Sequence, residues 1–249
     1  MIKNYLTIAW RNIWRKKSFS FINLLGLSIG MAASILIIPW IQREWNYDKN
    51  FAKGDRIYEV WNEYKIDGNI NSWRVTPKVM AAAIQADYDE VEHVSRVERS
   101  ISTLISVDDL RITGKGMSAD SIFFEIFDYE FIQGNKEQAL MNPDGIVLTE
   151  EFAEAIFGKE NALGKIIKLD NELLVEVTGV IKNPPADSRF AFQFITPWAR
   201  ERKLGNDDTF WSNNSTATYV LLKEAADLAT MQEKLKDLRK RYDKVDPNM

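Results

Sequence analysis

The sequence has no cysteine and a single histidine, His93. The first absence excludes disulfides and thiolate metal sites. The second leaves one imidazole for any acid–base or nucleophilic chemistry. Acids are missing from the whole N-terminal stretch: Glu44 is the first, and all 36 Asp and Glu residues follow it or include it. There is no GxxxxGK[ST] loop, so the chain has no P-loop of its own in which to hold ATP.

Charge of either sign is absent from Phe19 to Ile41, a run of 23 residues. As a helix this run is about 34 Å long, against a bilayer core of about 30 Å. Within it stands "GLSIG", Gly26 to Gly30. As G-x-S-x-G it matches a hydrolase nucleophile elbow with Ser28 attacking. That reading needs a strand, a sharp turn and a nearby His base, and the run offers none of them. As G-x-x-x-G it matches a close-packing face on a membrane helix. The small residues recur at the same spacing at Gly26, Gly30 and Ser34, which makes one side of the helix narrow and implies a partner helix. Glycine is also frequent in membrane helices generally, which leaves an incidental origin open.

A cleaved signal peptide would have a shorter apolar run. The small stretch "MAAS" lies inside this one, and "ILIIPWI" follows it, so the span is read as retained. Lys3, Arg11, Arg15, Lys16 and Lys17 precede it with no acid among them. The positive-inside bias therefore predicts a cytoplasmic N-terminus and an extracytoplasmic segment beyond residue 41. Trp10 and Trp14 before the span and Trp40 and Trp45 after it fit the two interfacial belts. Residues 1–17 place Ile2, Leu6, Ala9 and Ile13 at helical spacing with the bases mostly opposite, which predicts an interfacial amphipathic helix. The expected divisions are 1–17 interfacial helix, 18–41 transmembrane helix and 42–249 extracytoplasmic domain. Pro39 is expected in the last turn of the span.

The part after the span carries 36 acids against 27 bases. That balance argues against nucleic acid as a partner. Its pattern is mixed. "RIYEVWNEYKIDGNINSW" alternates Tyr58, Val60, Tyr64 and Ile66, with Asp67-Gly68 as a hairpin turn. Thr76-Pro77 predicts an N-cap and N1 proline opening a helix through Val79, Met80, Ala83 and Ile84. "VEHVSRVERS" and "STLISV" read as two strands, and "DSIFFEIFDYEF" as a short buried helix. "GIVLTEEFAEAIFGKE" reads as a strand, a helix capped by Thr149, and a stop at Gly158. "KIIKLD" and "LLVEVTGVIK" read as paired strands ended by Asn183-Pro184-Pro185. "FAFQFIT" and "TATYVLLK" are strands, and "DLATMQEKLKDLRKRY" is one amphipathic helix with Leu228, Met231, Leu235, Leu238 and Tyr242 inward. Hairpins mixed with scattered helices give an α+β class. No catalytic, cofactor or metal constellation emerges. "DKNFAKGDRIYE" misses the calcium-loop pattern at its glycine and at Ala52. Asp108-Asp109 and Asp207-Asp208 read as solvated loop pairs, and the bases from Lys234 to Lys244 as a wet helix face.

These residues carry a family resemblance over nearly the whole chain. "AWRNIWRKKSFSFINLLGLSIGMAASILI" resembles the N-terminal segment of MacB/FtsX-type ABC transporter permeases, and "YDKNFAKGDRIYEVW" their entry into the extracytoplasmic domain. From "FFEIFDYEFIQG" to "VTGVIKNPPADSRFAFQF" the chain is similar to the MacB-like periplasmic core domain, most specifically at Phe131, Gly134, "VLTEEFAEAIFG", "ALGK" and "VTGVIKNPP". The resemblance implies a permease with no active site, coupled to a separate cytoplasmic ABC ATPase, in which movement of the outer domain drives export or extraction of a substrate. It implies an inner-membrane, multi-pass protein, further transmembrane helices, a dimer and a periplasmic adaptor as partners. Members of the family return to the membrane, so a chain ending at Met249 is expected to be a fragment. The alternative is a membrane-anchored sensing or signalling module that binds a ligand or activates a cell-wall hydrolase.

Overall fold

The computed structural model describes residues 2–46, 51–66, 68–185 and 188–242. The chain divides into two compact units, Met1–Tyr47 and Asp48–Met249.

The first unit is two helices. α1 spans Ile2–Arg15 and α2 spans Lys17–Asn46, with Lys16 alone between them. The charge-free run explains α2: nothing in it competes with backbone hydrogen bonding, and Leu, Ile, Met and Ala propagate helix well. The helix outlasts that run by about a turn. Pro39 lies in the last turn of the stretch apolar enough to span, Lys17–Gln42, as expected, and the helix continues past it to Asn46, since proline removes one backbone donor and a long apolar helix tolerates the loss. On α1, Tyr5, Trp10 and Trp14 are exposed. The stripe expected at Ile2, Leu6, Ala9 and Ile13 involves side chains outside the described set.

The second unit runs β1 (Ile57–Val60), β2 (Asn62–Ile66), β3 (Asn69–Trp73), β4 (Thr76–Pro77), α3 (Met80–Asp87), β5 (Val91–Val107), β6 (Leu110–Ala119), α4 (Phe123–Ile126), β7 (Phe131–Gly134), β8 (Gly145–Thr149), α5 (Glu150–Phe157), β9 (Ile166–Leu169), β10 (Leu173–Ile181), β11 (Phe194–Pro197), α6 (Trp198–Lys203), β12 (Asn214–Leu222), α7 (Leu228–Leu235) and α8 (Leu238–Tyr242). The main sheet is ordered β1-β12-β5-β6-β11-β8-β10-β7, and β9 joins both β10 and β5. Six strands thereby close into a ring: β5, β6, β11, β8, β10 and β9 each pair with the next, and β9 returns to β5 through Ile105 opposite Leu169. Closure leaves these six strands no free edge at that end of the sheet. Ile105, Ile146, Leu148, Ile167, Val177 and Phe194 from the ring form one apolar cluster with Phe152, Ala153 and Ile156 of α5.

Two further clusters complete the core. Phe123, Phe124 and Phe127 meet Phe190, Phe192 and Tyr219, with Phe127 edge-on to Phe190 at 4.7 Å. α3, α7 and α8 bury Met80, Ile84, Met231 and Leu238 against Val94, Val220 and Leu222 of the sheet.

The α+β class and the N-terminal apolar helix agree with the sequence reading, as do the β8–α5 unit, the β9–β10 hairpin and β12. Gly158 ends α5 at φ 64°, a left-handed conformation that glycine takes at no steric cost. Other expectations change. Thr76-Pro77 is not a helix start but strand β4, paired with β12; the helix begins at Met80. The Thr76 hydroxyl bonds Thr216 O at 3.0 Å and Thr218 Oγ1 at 2.7 Å, so a neighbouring strand, not a helix end, satisfies it. β5 is one strand of 17 residues with an irregularity between Arg99 and Ile101, rather than two strands. α4 keeps only four residues of the expected helix, and in "FAFQFIT" only the end is strand. β1 and β2 are separate strands: β1 joins the main sheet, and β2 pairs with β3 alone. Of the predicted Asp67-Gly68 turn, Gly68 has φ 83° and Asp67 lies outside the described residues. The C-terminal helix is broken into α7 and α8, though Met231 and Leu238 are buried as expected.

Candidate functional site: a membrane helix and a clamped domain

α2 carries a stretch, Lys17–Gln42, long and apolar enough to cross a membrane, with a mean hydropathy of 2.2 and no part of it buried by the rest of the chain. Ser28 lies in mid-helix with no strand or turn around it. His93 is on β5 of the other unit, opposite Leu221. The two residues an elbow would need are thus on different units, and the geometry at Ser28 is that of a helix.

Gly26, Gly30 and Ser34 share one side of α2. A methyl group added at either glycine would meet nothing of this chain within 4 Å. The Ser34 hydroxyl donates to Gly30 O at 2.9 Å. This internal bond satisfies the hydroxyl, so the face is narrow without presenting an unmet polar group to lipid.

The second unit holds one dense charged constellation, where β4, β5 and β6 meet the segment from Trp198 to Asn213. Arg96 Nε and Nη2 donate to Asp120 at 3.0 and 2.7 Å, and Nη1 donates to Asp207 at 3.0 Å. The guanidinium lies 4.4 Å from the ring centroid of Trp198. Lys78 Nζ donates to Asp208 at 3.0 Å and also to Asn206 O. Glu201 accepts from Ser118 Oγ at 3.0 Å and from Asn206 Nδ2 at 3.1 Å. Asp207-Asp208 is therefore not a solvated pair: the two side chains are 12% and 21% exposed and each faces a cation. Burial alone would raise the Asp208 carboxyl. Bonds from Lys78, Phe210 N and Asn213 outweigh it and hold the group below its ordinary value. Glu98 moves the other way, raised by burial and by the neighbouring Glu201, with Lys78 opposing. Bidentate, charge-assisted pairing of this kind fixes geometry. It ties the loop after α6 to the sheet, with all three guanidinium nitrogens of Arg96 donating to carboxylates. Sequence reasoning missed it, because its partners are 111 and 130 residues apart.

The remaining expectations are placed as follows. Asp108-Asp109 is an exposed two-residue hairpin turn between Val107 and Leu110. Lys234 pairs with Glu90, Lys236 with Glu233 and Lys240 with Asp237, so that face is wet but paired; Asp243 and Lys244 lie outside the described residues. No group of three or more potential metal ligands occurs among the described residues. A recess of about 330 Å³ lies between Lys115, Glu151, Asn183 and Gln193. Two of its polar atoms are engaged in the fold: Asn183 Oδ1 accepts from Glu151 N at 3.1 Å, capping α5, and Gln193 Oε1 accepts from Lys115 N at 2.9 Å.

A family model described as the MacB-like periplasmic core domain matches residues 20–238. The chain belongs to this family. Solved structures share the fold, two of them as follows. One is a domain from Porphyromonas gingivalis described as that of a permease, with TM-score 0.67 and 21% identity over 78% of this chain and 84% of that one. The other is the periplasmic region of MacB from Actinobacillus actinomycetemcomitans, with TM-score 0.57 and 18% identity over 78% of this chain and 87% of that one. No curated protein sequence matches. The MacB-like family is a transporter component rather than a catalytic family. An apolar N-terminal helix joined to a MacB-like periplasmic core domain is the arrangement of an inner-membrane permease.

Proposed function

We propose that this chain is the permease part of an ABC transporter of the mechanotransmission type. In this reading α2 crosses the inner membrane, α1 lies on its cytoplasmic face, and the second unit is periplasmic. A cytoplasmic ABC ATPase hydrolyses ATP, and its closure moves the periplasmic domain to export or extract a substrate. The single observation that carries the reading is the continuity of the family match. It begins inside α2 and runs through the sheet to α8, so helix and domain belong to one family unit. Two features support it. The sequence has no P-loop, which fits an energy source outside these residues. The acid-free N-terminus with five bases favours a cytoplasmic side. The Gly26, Gly30 and Ser34 face then packs against another helix of the complete permease or against its second copy, and a periplasmic adaptor completes the path.

The test is ATP-dependent function of the full-length protein at matched membrane abundance, with and without the ATPase. Loss on ATPase removal is expected; function independent of any ATPase would refute the reading. Gly30→Leu should still insert, because Leu is more favourable in lipid than Gly. It should lower ATP-dependent function by roughly tenfold or more, because two backbones can no longer reach packing distance. Normal activity of Gly30→Leu would show that the face meets lipid.

A further inference from the structure

We propose that the junction between α1 and α2 is a headgroup site for an anionic phospholipid. The proposal rests on the interfacial reading of α1. Lys16 alone separates the two helices, and at this break an open recess of about 610 Å³ is lined by Trp14, Arg15, Lys16, Lys17, Ser18 and Phe19. Three consecutive cations stand at its rim, all exposed. The recess also lies at the start of α2, a helix of 30 residues with no acid in its first turn, so the positive end of its dipole adds to theirs. No carboxylate occurs in this unit before Glu44, 27 positions beyond Lys17 in sequence.

The walls decide between a free anion and a lipid. Trp14 is 59% and Phe19 66% exposed. Lys17 Nζ lies 5.2 Å from the centroid of a Trp14 ring, and Trp10 stands 6.5 Å from Trp14. A soluble phosphate would engage the cations and leave the indole and phenyl rings in water. A glycerophospholipid covers both: its phosphodiester meets Arg15, Lys16 and Lys17, and its glycerol and first acyl carbons lie on Trp14 and Phe19, with the chains following the apolar face of α2. Aromatic and cationic side chains at the end of a span suit this boundary for the same reason.

The experiment uses the full chain in nonionic detergent, mixed with phosphatidylglycerol or phosphatidylcholine, with retained lipid counted by native mass spectrometry. Phosphatidylglycerol should be retained in preference. Replacing Arg15, Lys16 and Lys17 together by Gln should reduce its retention by roughly tenfold or more. A charge-matched variant, Lys3→Gln, Arg11→Gln and Arg43→Gln, should retain it, and circular dichroism should show both variants equally helical. Equal retention of the two lipids would overturn the proposal. So would equal losses in the two variants, which would mean diffuse attraction, or displacement by inorganic phosphate, which would mean a free-anion site. The measurement needs neither an ATPase nor an oriented membrane, so its failure is distinct from failure of the permease reading.

Discussion

Gly116→Ala should destabilise the second unit severely for a one-carbon change. Gly116 is on β6, opposite Phe194 of the parallel neighbour β11. A Cβ at this position would lie 2.0 Å from Phe194 Cε2 and 2.2 Å from Cζ, far inside contact distance. Phe194 cannot swing aside. Its side chain is 1% exposed, and its ring stacks on Phe152 with centroids 6.3 Å apart inside the strand ring. Overpacking a well-filled core costs about 1–3 kcal/mol. With the obstruction fully buried and itself held by α5, about 3 kcal/mol is expected. For a domain of this size that is a fall in Tm of roughly 6–12 °C. The assay is urea and thermal unfolding of residues 42–249, with Phe194→Leu and the double variant completing the cycle. If the clash is the cause, the double variant should be more stable than the sum of the single effects predicts, by about 1 kcal/mol or more. Additivity within about 0.5 kcal/mol, or a negligible effect of Gly116→Ala alone, would refute the reasoning.

Three other outcomes are expected. A fluorophosphonate probe should leave Ser28 unmodified, because its hydroxyl sits in the middle of α2; stoichiometric labelling would sink the membrane-helix reading. Single cysteines are informative in a chain that has none: an impermeant thiol reagent on intact cells should reach Asn69→Cys and not Asn4→Cys, and the reverse pattern would invert the topology. Glu98 has a folded pKa above its ordinary 4.5, so the folded state binds this proton more tightly than the unfolded one. The corresponding stability is present below about 4.5 and lost as pH rises through the folded value. Glu98→Gln should therefore raise Tm at neutral pH and change it little below pH 4.5; a lower Tm at neutral pH would contradict the sign.

What the sequence made legible follows from how local each signal is. α2 is visible because lack of charge over 23 residues is a property of adjacent positions. β8, α5 and the Gly158 stop are visible because apolar strand, amphipathic turn and left-handed glycine lie within a few residues of one another; the cap is not, since Thr149 makes no side-chain capping bond and Asn183, 32 residues from Glu151, supplies it instead. The β9–β10 hairpin is visible for the same reason, its turn lying at Asp170 and Asn171, both at positive φ. Thr76-Pro77 misleads because the local pattern of a capped helix and the pattern of a short strand beside β12 are the same two letters; Thr216 and Thr218, far along the chain, decide between them. Asp207-Asp208 misleads in the same way, since only folding brings Arg96 and Lys78 to it. The ring closure is the extreme case: no local signal at Ile105 or Ser106 announces that β9 will pair with them. The small face of α2 is legible as spacing, and in the structure nothing lies within 4 Å of a methyl group added at Gly26 or Gly30.

The place where β1 and β12 meet has a mechanical meaning. Ile57 stands opposite Leu221, so the strand that follows the N-terminal helices starts beside the end of the last strand. Pulling a pair of antiparallel strands from the same end loads their hydrogen bonds one after another, like a zipper, instead of all together. Arg56 sits at the first tooth. Its guanidinium Nη1 donates to Leu222 O at 2.7 Å and to Glu92 on β5 at 2.8 Å, riveting three consecutive strands where such a tug would arrive. Fastened there, β1, β12 and β5 resist fraying at the first pair of the zipper.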